Sequence, residues 1–206
     1  MKQRRVYWAG DLFNFKDLLG NRMLSEAFDR CAGGSWEAVL PQDNEANSDR
    51  STGIRDSDLE MLLTCDALVA NFDGSDLDSG TVVEFCFSKF LDMPSVLLRT
   101  DFRRSGDSSV PGADPWNLMC SSYPRTETLC IHSLLELSRM SASEFLDSLA
   151  VRILEKLEKS AAQPMISGAE ELAAAYRRVV QCTGGSMVER FPAERIRQIV
   201  AGRLNG

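Results

Sequence analysis

The sequence predicts an α/β fold built on a doubly wound parallel sheet, and three observations point there. Segments with strand character alternate with segments of helical period along the first 160 residues. Two short runs, "DALVANF" and "PSVLLRT", are almost continuously apolar, as strands buried on both faces must be. The helical segments between the strands are long enough to serve as crossovers, which join parallel strands with a right-handed turn.

The elements follow in order. "RRVYWAG" reads as a first strand ending at Gly10, and "FKDLLGNRMLSEAFDRCAGG" sets Leu18, Leu19, Met23, Leu24, Ala27 and Phe28 at helical intervals before a Gly-Gly stop. "WEAVLP" is a short second strand. "PQDNEANSDRSTG" is a polar loop that leads into a helix over "IRDSDLEMLLTC". The buried run "DALVANF" is the third strand, "SGTVVEFCFSKFLD" a helix, "PSVLLRT" the fourth strand and "ETLCIH" a fifth, followed by a helix over "SASEFLDSLAVRILEKLEK". Beyond Lys159 the character changes: "SAAQPMISG" is linker-like, and "AEELAAAYRRVVQC" and "PAERIRQIVAGRL" are two amphipathic helices. The expected organisation is a domain over residues 1–159 and a helical C-terminal extension over 160–206.

Composition narrows the function. With 206 residues, 44% of them hydrophobic, the chain has material for a sizeable core. A net charge of −7 argues against sequence-independent nucleic-acid binding, which needs Lys and Arg to neutralise phosphates. A small-molecule partner fits better. The six cysteines have no CxxC spacing and several lie in apolar runs, which suits free thiols in a reducing compartment. No apolar segment long enough for a signal peptide or a membrane span follows the basic start, so a cytoplasmic protein with no membrane partner is expected.

In an open parallel sheet, ligands bind beyond the carboxyl ends of the strands, which directs attention to the loops there. After the first strand comes "AGDLFN", where Gly10 would let a ligand approach the backbone. Phe13 would either stack on a flat ring or pack in the core. Neither GxGxxG nor GxxxxGK[ST] is present, so no nucleotide cofactor is indicated. No His/Cys/Asp/Glu set has metal-ligand spacing either, and His132, the one histidine, reads as structural.

The third loop, "NFDGSDLDSG", crowds Asp73, Asp76 and Asp78 ahead of a helix. Asp78 stands where a helix cap belongs, and Asp73 and Asp76 read as a solvated turn. Glu84 is different, because Val82, Val83, Phe85, Cys86 and Phe87 leave the helix little polar face. Its carboxylate either reaches solvent at the helix edge or points into a cleft with Tyr7 or another donor nearby, and a buried carboxylate with a partner is a candidate functional group. A pair of carboxylates suffices for retaining glycosyl chemistry, one as nucleophile and one as acid. Glu84 is then the nucleophile.

The elements "VYWAGDLF", "IRDSDL", "DALVANFDGSDLDSGTVVEFCFS", "PSVLLRTDFR" and "NLM" together resemble the nucleoside 2-deoxyribosyltransferases in order and approximate spacing, from Val6 to about Arg125. The D-x-G-x-x-x-E element of Asp78, Gly80 and Glu84 is the most specific piece. The resemblance implies a flavodoxin-like five-stranded sheet and ping-pong transfer of 2-deoxyribose between nucleobases, without a cofactor. It makes Glu84 the nucleophile, Tyr7 the hydroxyl that orients it, and Asp58 and Asp78 the acidic residues that contact the base and help protonate it. Ser79 and Gly80 belong to the same binding element. Asn117 and Met119 match a loop that reaches a neighbouring subunit's site, the asparagine binding a sugar hydroxyl. A homo-oligomer of dimers, up to a hexamer, acting on deoxynucleosides and nucleobases is therefore implied. Two other functions fit the same residues. One is N-glycosidic hydrolysis of deoxynucleoside 5′-monophosphates, with Ser79 and Thr81 as phosphate donors. The other is a non-catalytic nucleotide-binding module whose C-terminal helices meet a partner.

Overall fold

The computed structural model describes residues 3–43, 51–103 and 111–205. Most of the predicted polar loop after the second strand, residues 44–50, lies outside them. Five strands, β1 (Arg4–Ala9), β2 (Trp36–Val39), β3 (Ala67–Asn71), β4 (Ser95–Arg99) and β5 (Thr126–Cys130), form one parallel sheet in the order β2-β1-β3-β4-β5. That is the flavodoxin-like order, with the chain reversing direction across the sheet between β1 and β3.

The apolar runs are explained by burial on both faces. Tyr7, Ala9, Leu68, Ala70 and Leu97 point to one side of the sheet, and Val6, Trp8, Val69, Val96 and Leu98 to the other. On the second side lie α1 (Phe15–Ala32) and α5 (Ala142–Ala161), which bury Phe28, Leu24, Leu149 and Ile153. Asn14 caps α1 by accepting from the Lys16 and Asp17 amides, and Gly33 ends it in the left-handed region, φ 56°, that glycine tolerates. Ser141 and Glu144 form a reciprocal capping box at the start of α5.

The first side carries α2 (Ser51–Thr64) and α3 (Ser79–Phe90), and here the C-terminal helices α6 (Ala169–Thr183), α7 (Ser186–Arg190) and α8 (Ala193–Leu204) join the same apolar layer through Leu172, Tyr176, Val180, Met187 and Ile196. The five-residue α7 and the five-residue α4 (Ser133–Leu137) are additions to the elements expected from sequence. Helix α5 runs to Ala161, past the expected boundary. Ser160 is buried there, its hydroxyl donating to the Arg125 carbonyl and accepting from the Ser95 amide. The segment into α6 is tied to the main body by Asp92, whose carboxylate accepts from the Ile166 and Ser167 amides and from Arg125.

None of the helices among the described residues is long and apolar enough to cross a membrane. The six cysteines are free thiols.

Candidate active site

The reversal between β1 and β3 puts a crevice at their carboxyl ends, and Tyr7, Gly10, Asp58, Asp78 and Glu84 lie on the elements that border it. Gly10 follows β1 directly. A Cβ there would sit 3.1 Å from that of Asn71, so the missing side chain lets the ends of β1 and β3 close together. Tyr7 is fully buried on β1, and its phenol donates to Glu84 Oε1 at 2.5 Å. Burial holds the phenol's pKa well above its usual 10, and the charges of Glu84 and Asp58 push it the same way. Tyr7 therefore stays protonated throughout the neutral range and is a donor, never a base.

Helix α3 buries Thr81, Phe85 and Ser88, a stripe at helical spacing. Glu84 lies one turn from both Thr81 and Ser88, at the edge of that stripe, which leaves it half-buried and within reach of the strand. Tyr7, the donor named in one of the two sequence readings, is the residue that donates to it.

Asp78 caps α3. Its Oδ2 accepts from the Thr81 amide at 2.7 Å and the Thr81 hydroxyl at 2.9 Å, while Oδ1 receives no hydrogen bond from the described residues. A Cβ at position 80 would lie 3.0 Å from Oδ2, so Gly80 gives this carboxylate its room. Ser79 is exposed beside it. Asp58 sits on α2, half-buried and close enough to Tyr7 for its charge to act on the phenol.

The loop that leads to Asp78 is held by Arg99 at the end of β4 and by the residues just after it. The Asp73 carboxylate accepts from the Thr100 amide and hydroxyl, both at 2.5 Å, and from the Asp101 amide at 2.7 Å. Asp73 is thus not the solvated turn residue its sequence context suggests but a clasp between two loops; Asp76 is exposed. Arg99, fully buried at the end of β4, donates to the carbonyls of Phe72, Gly74 (3.0 Å) and Arg103 (2.7 Å) and fixes the same loop from below.

Asp11 belongs to this group and was not singled out from sequence. Burial raises its carboxyl pKa first, and the charges of Asp78, Asp17 and Asp73 raise it further. Its place immediately after Gly10 in "AGDLFN" was the available signal.

Three predicted residues stand apart. Phe13 is 77% exposed, which removes the core reading for it. Asn117 is exposed, and its side-chain oxygen accepts from the Met119 amide at the start of the turn Leu118–Cys120. Met119 is 77% exposed. The loop that bears them is anchored by buried Trp116, which packs edge-on against Phe72 and donates to the Ser121 hydroxyl. His132 caps α4 and stacks on Phe102, 4.7 Å between ring centres, consistent with a structural role. Among the described residues no group of three His, Cys, Asp or Glu side chains is placed to hold a metal ion. A separate cavity of about 190 Å³ at the far end of α3 is lined by Cys86, Phe90 and Tyr123, and its Lys89 ammonium is already engaged by Met93 O and the Thr126 hydroxyl.

Comparison with known proteins gives the setting of this geometry. A search of curated proteins finds no match. Among solved structures, a conserved protein from Enterococcus faecalis is 23% identical, over 76% of this chain and 98% of that one, with a TM-score of 0.49. The 2-desoxiribosyltransferase from Leishmania mexicana is 20% identical over 67% and 99%, with a TM-score of 0.48. The 2-deoxyribosyltransferase from Bacillus psychrosaccharolyticus is 19% identical over 68% and 94%, with a TM-score of 0.45. The sequence model of the family described as nucleoside 2-deoxyribosyltransferase matches residues 6–132, more than half of the chain. On that match, which spans Tyr7, Asp58, Asp78, Glu84 and Asn117, the chain belongs to the nucleoside 2-deoxyribosyltransferase family.

Proposed function

We propose that the protein transfers 2-deoxyribose between nucleobases by double displacement through a deoxyribosyl ester of Glu84. The observation that carries this reading is the Tyr7 hydrogen bond to Glu84 Oε1, which fixes the rotation of a half-buried carboxylate at the topological switch point. In the first step a carboxylate oxygen of Glu84 bonds to the anomeric carbon as the carbon–nitrogen bond breaks. The electron pair leaves with the base, and Asp78 or Asp58 supplies a proton to it. In the second step a nitrogen of another base attacks the same carbon and returns the carboxylate, giving up its proton to the site. A 2-deoxy sugar lacks the electron-withdrawing hydroxyl beside the reacting carbon, so an oxocarbenium-like transition state is reached more easily.

Free nucleosides suit this crevice better than 5′-monophosphates. The charges of Asp78 and Asp73 both reach Asp11, and the Thr81 hydroxyl is engaged by Asp78. Ser79 is the exposed hydroxyl at that helix start, and a phosphate there would face the Asp78 carboxylate. Residues 1–159 form the catalytic unit in this reading, with 160–206 an extension upon it.

The experiment is incubation of a deoxynucleoside with a second free base, followed for the exchanged nucleoside. Asp78→Asn is expected to slow exchange roughly tenfold or more for bases that leave poorly as anions, and less for those that leave readily, since general acid catalysis contributes about 10²–10⁴-fold where it is needed. An equal loss across bases of different basicity would make Asp78 a binding or capping residue instead.

Exposed Asn117 and Met119 support a shared site between subunits of a homo-oligomer. Mixing inactive Glu84→Ala and Asn117→Ala subunits should then restore part of the activity, because subunit exchange creates sites with both residues intact. A mixture that stays inactive after demonstrated exchange returns Asn117 to its own subunit.

A further inference from the structure

Helix α2 is held from outside by the C-terminal extension at three heights. Near its start, the Ser186 hydroxyl donates to buried Asp56 at 2.5 Å. One turn later Glu60 is shared, Oε2 accepting from Arg190 at 2.7 Å and Oε1 from Arg195 at 2.8 Å. Arg195 also donates to the Arg190 carbonyl and lies 4.4 Å over the Phe191 ring, so the two arginines form one rigid fork. At the far end, the buried Tyr176 hydroxyl donates to the Leu63 carbonyl at 3.1 Å.

The spacing of these contacts is what matters. Asp56 and Glu60, four residues apart, share one face of α2, and Asp58 between them points about 200° away from Asp56. That opposite face is the one from which the Asp58 charge acts on Tyr7. Apolar packing of Leu59, Leu62 and Leu63 seats the helix on the sheet, while the finer angle about its axis is open to directional contacts. Hydrogen bonds to two carboxylates on one face are directional, and they fix the rotation. A turn of about 20° would swing a carboxylate about 6 Å from the helix axis by about 2 Å.

We infer that the C-terminal extension, through Ser186, Arg190 and Arg195, is the positioning device for Asp58, setting the angle at which that carboxylate meets the nucleobase. This rests on the proposed role of Asp58 toward the base. The extension thus acts on the reaction from behind α2, without touching substrate.

The test pairs Arg190→Ala/Arg195→Ala, and separately the milder Ser186→Ala, with Asp58→Asn in a double-mutant cycle. The arginine variant should lose roughly tenfold to a hundredfold in kcat/KM for base exchange, the scale of a misplacement of about 1 Å. Amides in the 56–63 segment should lose protection from hydrogen exchange, with Ser186→Ala showing both effects in smaller measure. In the Asp58→Asn background the same substitutions should cost almost nothing further. Additive losses would mean that the extension only stabilises the fold, and unchanged protection of 56–63 would mean that it does not hold α2; either overturns the inference. If Asp58→Asn alone exchanges bases at the normal rate, the role of Asp58 falls and the positioning role with it. That failure is told apart from the others because hydrogen exchange still reports the grip on α2.

Discussion

Glu84→Ala is expected to abolish base exchange, with a loss on the order of 10⁴-fold or more, as removal of a covalent nucleophile does in other enzymes. The fold should survive. Glu84 is half-buried on the second turn of α3, alanine is the best helix former, and leaving the Tyr7 hydroxyl without this acceptor costs about 1–3 kcal/mol. Glu84→Gln separates geometry from nucleophilicity: its amide oxygen can still accept from Tyr7, yet it should be as inactive as the alanine variant. Wild-type enzyme stalled with a slow 2-fluoro substrate and then denatured should carry the sugar on Glu84, read by peptide mass. A folded Glu84→Ala variant with near-normal turnover would sink the assignment, and a label on another residue would relocate the nucleophile.

Arg99→Met should cost the fold about 3 kcal/mol or more, measured by chemical denaturation, although the side chain forms no ion pair of its own among the described residues. The guanidinium is wholly buried and donates to three carbonyls, of Phe72, Gly74 and Arg103, in the two loops that meet below Asp78. Its charge also helps hold the Asp101 carboxyl well below the usual carboxylate range, after the larger effect of Arg103. Methionine fills much of the volume but returns none of those hydrogen bonds and leaves Asp101 with Arg103 as its remaining cation. Arg99→Lys should recover part of the stability, since one ammonium cannot serve three diverging carbonyls at once. A methionine variant within about 0.5 kcal/mol of wild type, the usual range for surface changes, would show that the loop is held by Asp73 alone.

These two sites differ in how far they could be read from sequence. Strands β3 and β4 were legible because burial on both faces writes a continuous apolar run, and the fold class followed from the alternation of strand and helical segments. Glu84 was legible for the opposite reason, a carboxylate where the pattern demands an apolar or neutral residue. Arg99 was not, because an arginine at the end of "PSVLLRT" looks like a strand meeting solvent, and only the return of two loops over it shows that it is enclosed. Asp73 misled similarly: its partners, Thr100 and Asp101, come from the loop after the neighbouring strand, a distance in sequence that local reasoning does not cross. The short helix α7, with Arg190, lacked enough residues to show a period, and Arg195 read as the polar face of an amphipathic helix until α2 was seen opposite both arginines.

The two apolar layers on either side of the sheet have unequal freedom to change over time. Tyr7, Phe85, Leu59 and the C-terminal helices occupy the layer in which Glu84 and Asp58 are mounted, so a repacking there moves the reacting groups as well as altering stability. Trp8, Phe28, Leu149 and Ile153 occupy the other layer, with α1 and α5, and a repacking among them reaches the crevice indirectly, through the sheet backbone and through Asn21 of α1, which donates to the Asp11 carbonyl at 2.9 Å. Divergence that preserves chemistry is therefore channelled to the α1–α5 side, where residues can be exchanged for others of similar volume while the opposite side keeps its geometry.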